Sequence, residues 1–243
     1  MKIVFLGASH GLPEPGRRCS CAMIEVGSNR YFIDMGCQAI EDLAVRNIPV
    51  DSVKAIFITH MHGDHTNGLI SFIDLCNWYY KTAQPVIYLP DRLEQTKAAL
   101  DAWLQCNGKT LRDFDFRPVS EGLVYDDGTL RITAYKTKHI EMSFGYLVEA
   151  EGKRVYFAGD MTSKEPGSDF PTEVLEQPLE LAICEAAHFD ATAYVPLFAG
   201  NPNLKKLCFN HYSDKFLESV MTATRLLAPL PVVRAIDNME FQL

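Results

Sequence analysis

The sequence predicts an α+β protein, a sandwich of two β-sheets packed face to face with helices outside, and three observations carry that prediction. Short apolar runs rich in β-branched residues recur along the chain, three stretches of helical spacing interrupt them, and hairpin signals fall in both halves.

The strand candidates are Ile3–Leu6, Ala22–Val26, Tyr31–Ile33, Val53–Ile58, Val86–Leu89, Leu130–Tyr135, Tyr146–Glu149, Val155–Phe157, Leu179–Ile183 and Lys206–Phe209. Runs this short suit strands rather than helices. Helical spacing joins Leu69, Phe72, Ile73, Cys76 and Tyr80, then Leu93 with Ala98 to Leu104, then Phe216, Val220, Ala223 and Leu227. Asp126-Asp127-Gly128 and Glu151-Gly152-Lys153 read as hairpin turns, so antiparallel pairs accompany the helices and a doubly wound parallel sheet is disfavoured.

A chain of 243 residues fits one domain over 1–243, with no repeat, low-complexity tract or linker to divide it. A core of that size buries roughly 70–75% of the unfolded chain's surface, enough to fold without staples. The seven cysteines, odd in number and scattered, suit a reducing compartment. The apolar run at Ile3–Leu6 is too short for a signal peptide, and no apolar stretch approaches the roughly 20 residues of a membrane span. The expectation is a cytoplasmic protein without a membrane partner. A net charge of −8 offers no surplus of Lys and Arg for extended nucleic acid.

The run Val53–Ile58 leads straight into Thr59-His60-Met61-His62-Gly63-Asp64-His65. Alternation at a strand end puts His60 and His62 on one side, as two imidazoles sharing an ion require. Gly63 lets the chain turn so that Asp64 and His65 address a second ion. Four potential ligands in six residues have little other use at a strand-to-helix junction. His139, Asp160 and His211 each close a further predicted strand.

This order of residues, His-x-His-x-Asp-His followed by a His, a Gly-Asp and a final His, resembles the metallo-β-lactamase superfamily over nearly the whole chain. The resemblance implies an αβ/βα four-layer sandwich with metals at one edge between the sheets. It implies that His60, His62 and His139 bind one ion, that Asp64, His65 and His211 bind the other, and that Asp160 bridges them. Tyr31-Phe32-Ile33-Asp34-Met35-Gly36 resembles the family's second motif, in which the Asp braces the metal loop. Ala235 to Phe241 is similar to the terminal hairpin of many members. Five imidazoles with two carboxylates favour two zinc ions, with manganese or iron also compatible. Two such ions about 3.5–4 Å apart share a water and lower its pKa towards ~7, giving a bridging hydroxide as nucleophile, with Asp64 to steer its proton. Asp160 argues against the antibiotic-hydrolysing branch, which usually lacks it, and His62 against flavodiiron-type sites.

His211-Tyr212-Ser213-Asp214-Lys215-Phe216 resembles the ending of ribonuclease Z and its phosphodiesterase relatives, and Leu6 to Pro13, with Arg17 following, is similar to their Gly-rich first loop. Arg17, Ser213 and Lys215 are therefore expected at the substrate. Cys184-Glu185-Ala186-Ala187 aligns with that branch's His-Glu-Ala-Thr, so Glu185 matches while Cys184 stands where the proton-donating His belongs. His188, four residues on, is expected to take the donor role. The long arm of enzymes that cleave precursor tRNA is absent, since twenty residues separate His139 from Asp160. Two divalent ions bring the charge from −8 only to about −4, and Arg17, Arg18, Lys136 and Lys138 suffice for a phosphate or two. The expected function is hydrolysis of a small or short phosphodiester. The alternatives are tRNA 3′ processing, a lactonase or thioesterase using the same metals, and a metal-binding module without turnover.

Other residues carry weaker expectations. Cys19 and Cys21 are read as structural, and His10 as solvated. Trp78, Tyr79 and Tyr80 are read as packed between sheet and helix, with a homodimer contact as the alternative. Phe189 to Asn203 lacks periodicity and is read as a loop covering the metals.

Overall fold

The computed structural model describes residues 1–162 and 170–243, which form two mixed sheets with helices on both outer faces. The first sheet comprises β1 (Lys2–Gly7), β2 (Cys21–Val26), β3 (Asn29–Ile33), β4 (Val53–Phe57), β5 (Val86–Leu89), β6 (Phe116–Pro118) and β14 (Glu240–Gln242), in the order β14-β1-β2-β3-β4-β5-β6. The second comprises β7 (Gly122–Asp126), β8 (Arg131–Lys136), β9 (Phe144–Ala150), β10 (Lys153–Phe157), β11 (Leu181–Ala186), β12 (Leu207–Tyr212) and β13 (Val232–Arg234), in the order β13-β12-β11-β10-β9-β8-β7. In each sheet an antiparallel part leads into a parallel part, β3 to β6 in one and β10 to β13 in the other.

Strict alternation sorts the strands into layers. Tyr31, Ile33, Ala55 and Phe57 meet Val155, Phe157, Leu181 and Ile183 between the sheets. Their neighbours Phe32, Ile56 and Ile87 face α1 (Ala39–Val45), α2 (Gly63–Trp78) and α3 (Leu93–Cys106). Tyr156, Ala182 and Cys184 face α4 (Val195–Phe198) and α5 (Leu217–Leu226). Strands covered on both faces read as continuous apolar runs, the pattern seen in the sequence. Phe57 anchors the central layer, stacked on Tyr88 at 5.0 Å and edge-on to Tyr125 at 5.4 Å; removing such a ring costs about 3–5 kcal/mol.

Some expectations need correction. Trp78, Tyr79 and Tyr80 are 38%, 73% and 36% exposed at the end of α2, and the Trp78 ring takes the Lys109 ammonium at 4.2 Å instead of packing between sheet and helix. The segment after Phe189 is no irregular cover. It forms a 3-10 turn at Ala191–Tyr194 followed by α4, and Phe189, Tyr194 and Phe198 bury their rings on the outer face of the second sheet. Helix α1 and the short strands β6, β7 and β13 were not foreseen. Cys21 is buried as expected, whereas Cys19 is only partly covered.

Strands β3, β4, β8, β10, β11 and β12 point the same way across the sandwich, so their C-terminal ends open onto one edge. Asp34, His60, His139, Asp160, Glu185 and His211 stand at or just past those ends.

Candidate metal centre

The first set of donors follows from β4. His60 and His62 project from its end with Nε2 and Nδ1 at 3.0 Å, and His139, delivered beyond β8, brings its Nε2 to 3.2 Å from His62 Nδ1. Asp160 closes the set, its Oδ2 3.7 Å from the Nε2 of both His60 and His139. The second set begins at α2, whose first turn holds Asp64 Oδ2 3.3 Å from His65 Nε2. His211 at the end of β12 places its Nε2 3.8 Å from Asp64 Oδ2 and 3.1 Å from Asp160 Oδ2. Asp160 Oδ1 lies 3.5 Å from His65 Nε2, so this carboxylate touches both sets. The structure thus brings together all seven residues expected as ligands.

The donor set fits divalent cations. Donors around a tetrahedral ion with bonds of roughly 2.0–2.1 Å sit about 3.3 Å apart, and the spacings here run from 3.0 to 3.8 Å. His65 Nε2 and Asp160 Oδ1 are buried without a hydrogen bond, an arrangement that is costly unless a cation satisfies both.

Electrostatics favour the same conclusion for His60, His139 and the two carboxylates, while His65 takes its charge from the carboxylates around it. Burial, reinforced by neighbouring His65, pushes the His60 imidazole down to about 2, against the attraction of Asp160. Burial also pushes His139 down to about 4, so both rings offer lone pairs at neutral pH. Burial works against the charge of Asp64, yet the hydrogen bond and charge of His65, with His211, hold its carboxyl below the usual range. Asp160 is likewise opposed by burial and held low by His211 and His65. For His65, burial is outweighed by Asp34 and Asp160, which keep its imidazole well above the ordinary value.

An outer layer fixes these rings. Asp34 Oδ2 accepts from His65 Nδ1 at 2.7 Å, while its Oδ1 accepts from the Thr59 backbone N–H at 2.8 Å. The Thr59 hydroxyl reaches the Asp34 carboxylate at 3.0 Å and His60 Nδ1 at 3.1 Å. Sequence reasoning missed Thr59, and its place at the strand end directly before the first ligand was the available signal. Gly36 sits where a side chain would overlap the carbonyls of Asp64 and Ser20, so the segment after β3 can lie flush against the metal loop. His211 adopts a left-handed backbone with φ 48°, a strained choice for a non-glycine residue at a functional position.

Glu185 and His188 form a dyad at the rim. Glu185 is buried, and its Oε1 accepts from His188 Nδ1 at 2.7 Å and from the Met161 N–H at 2.9 Å. Its Oε2 accepts from the N–H groups of Ala187 and His188. Donation to the Glu185 carboxylate raises the His188 pKa against partial burial. His188 Nε2 points inward, 3.9 Å from Asp160 Oδ2. Cys184, next to Glu185, faces away into the outer core, so a residue at that position does not look toward the metals.

Arg17 departs from expectation. Its guanidinium is buried, bonded to the Tyr212 carbonyl at 2.8 Å and Asp214 at 2.6 Å, paired with Glu14, and stacked on the Tyr212 ring at 4.0 Å. It clamps the chain beside His211 and is not presented to a substrate. Arg18 is similarly spent on Asp42 and Asp237. Ser213 caps the turn after β12 by accepting from the Lys215 N–H, and Lys215 is exposed with its ammonium 5.1 Å over the Phe216 ring. His10 is not simply solvated, since its Nε2 lies 3.1 Å from Glu14 Oε1.

Four layers with this cluster between the sheet ends define a protein of the metallo-β-lactamase fold that carries a His/Asp site suited to divalent metals. The sequence-family profile described as "Anti-Pycsar protein Apyc1" matches residues 1–222, and the chain belongs to that family. It is also similar to a ribonuclease Z from Crocosphaera subtropica, 29% identical over 157 residues that cover 63% of this chain and 49% of that protein. The chain thus spans about half the length of that curated relative. Among solved structures, the short form of human tRNase Z superposes with a TM-score of 0.73 at 20% identity, covering 100% of this chain and 99% of the other. The metallo-β-lactamase fold protein YhfI from Bacillus subtilis gives 0.76 at 15% identity, covering 99% of each. Identities this low speak for the fold alone.

Proposed function

We propose that the chain is a metal-dependent hydrolase of small or short phosphodiesters, with zinc as the resident metal. The observation that carries this reading is the single carboxylate of Asp160 standing between two complete donor sets, with His188 Nε2 beside it. His60, His62, His139 and Asp160 would hold one ion, and Asp64, His65, His211 and Asp160 the other. Such a pair, when bound, supplies an acidified water as nucleophile and positive charge for the oxygens of the electrophile.

The chain's own residues do the rest. Asp34 and Thr59 keep the ring nitrogens of His65 and His60 aimed inward. Glu185 fixes Nδ1–H of His188, which leaves Nε2 to hand a proton to the departing oxygen. Asp64 steers the proton of the attacking water. Lys215 and Ser213, on the turn after β12, meet the far end of the substrate.

A small substrate is favoured over tRNA because Arg17 and Arg18, half of the basic residues available for phosphates, are tied up in internal ion pairs. The seven free thiols support a reducing compartment, the cytoplasm. Among the described residues no helix is long and apolar enough to cross a membrane.

The test is a panel of bis(p-nitrophenyl) phosphate, a precursor tRNA, lactones and thioesters, offered to the zinc-loaded chain. Turnover of the diester is expected. Turnover confined to the acyl substrates, or to the tRNA, would replace this reading.

A further inference from the structure

Protein groups hold the outer nitrogens of two rings that face the ions, Asp34 that of His65 and Thr59 that of His60. His211 is different. Its Nε2 faces Asp160 and Asp64, while its Nδ1 is buried with no hydrogen-bond partner among the described residues. A neutral ring that gives one nitrogen to an ion carries its proton on the other, so His211 presents a buried N–H in need of an acceptor. A second orphan stands next to it in sequence. The Oδ1 of Asn210, a residue only 9% exposed, is likewise buried with no partner among the described residues.

The backbone turns both side chains the same way. Cys208 belongs to the layer between the sheets, and Phe209 and Tyr212 belong to the outer core. Regular alternation from Phe209 would send Asn210 inward and His211 outward. Between the pairs Cys184↔Phe209 and Ala186↔Tyr212, however, β12 has two residues where β11 has one, a β-bulge at Asn210 and His211. The left-handed backbone of His211, with φ 48°, marks this bulge, which re-aims the imidazole to the side that Asn210 faces. Both residues line a chamber of about 30 Å³ beneath the metal centre, together with Ser20, Asp34 and Thr59. An internal water needs roughly 10–15 Å³ and two to four polar partners.

We infer that this chamber holds an ordered water that accepts from His211 Nδ1–H and donates to Asn210 Oδ1, which makes Asn210 a positioning residue for the ion held by Asp64, His65 and His211. The inference rests on the metal-binding reading above and deepens it. One water satisfies two buried groups that are each costly to leave unpaired. The Ser20 hydroxyl, whose contact with Asp34 Oδ2 is long at 3.5 Å, is a third partner in the same chamber. Held in this way, the imidazole keeps its proton on Nδ1 and its Nε2 lone pair toward the ion. The water does for His211 what Asp34 does for His65.

The test has two arms, and neither depends on turnover. A high-resolution crystal structure of the zinc-loaded chain should show an ordered oxygen within about 3.2 Å of both His211 Nδ1 and Asn210 Oδ1. In competition against a chromogenic chelator, Asn210→Leu keeps the bulk and removes the acceptor, and it should hold the second ion about 10-fold more weakly while the first stays within about twofold of wild type. Asn210→Asp restores an acceptor and should recover at least the wild-type affinity. A chamber without that oxygen, an unweakened second ion in Asn210→Leu, equal weakening of both ions, or no recovery in Asn210→Asp would overturn the water-mediated brace while leaving the two-ion site in place. A wild type that takes up no zinc would overturn the metal-binding reading as well.

Discussion

In Asp34→Asn the side-chain shape is kept and one acceptor oxygen becomes a donor. Asp34 is buried and meets its two nearest donors through separate oxygens, His65 Nδ1 at 2.7 Å and the Thr59 N–H at 2.8 Å, with the Thr59 hydroxyl at 3.0 Å beside them. The asparagine oxygen can serve one of them, and its NH₂ group must face the other. Facing His65, the NH₂ forces the imidazole proton onto Nε2, the nitrogen that stands 3.3 Å from Asp64 Oδ2 and must present a lone pair to an ion. Facing Thr59, two buried donors oppose each other at a cost of about 1–3 kcal/mol. Either outcome weakens the ion on the His65 side by about 10–100-fold, the usual effect of losing such a partner. Competition against a chromogenic chelator measures the second ion's affinity, and urea unfolding of the metal-free variant checks that it is folded. A folded variant whose second-ion affinity stays within twofold of wild type would refute the reasoning.

Three further outcomes are expected. His188→Ala should lower kcat on bis(p-nitrophenyl) phosphate by about 10²–10⁴-fold with metal content unchanged; unaltered turnover with intact metal would remove His188 from the reaction. Gly36→Ala should destabilise the fold by about 1–3 kcal/mol in urea denaturation, because its Cβ overlaps the Asp64 carbonyl and either the first turn of α2 or the segment after β3 must move. Arg17→Ala should lower the thermal midpoint, by about 2 kcal/mol of stability, since the buried Tyr212 carbonyl and Glu14 lose their partner. A raised KM at unchanged stability would instead return Arg17 to the substrate.

Much of this architecture was legible because it follows from local rules. The ten strands read from the sequence are all present, since strands covered on both faces leave unbroken apolar runs such as Ala55-Ile56-Phe57. The seven residues expected as ligands come together because His60, His139, Asp160 and His211 stand at strand ends that open onto one edge, while His62, Asp64 and His65 follow at the start of α2 directly after β4. What failed was what neighbours distant in sequence decide. Nothing local to Arg17 shows that Asp214 and the Tyr212 carbonyl will claim its guanidinium. Alternation along β11 does imply that Cys184 and Glu185 face opposite ways, but which side holds the metals is set by the second sheet. Helix α1 escaped notice because seven residues hold too few apolar positions for a period to show. Nothing local to Trp78 shows that Lys109 will cover its ring.

Metal stoichiometry tests the central claim most directly. Elemental analysis of the purified chain after saturation with zinc and removal of excess should give two ions per chain, and Asp160→Ala should retain fewer than one, because that carboxylate belongs to both donor sets. Two ions surviving in Asp160→Ala would contradict the bridging geometry, and wild type saturating at one ion or none would contradict the account itself.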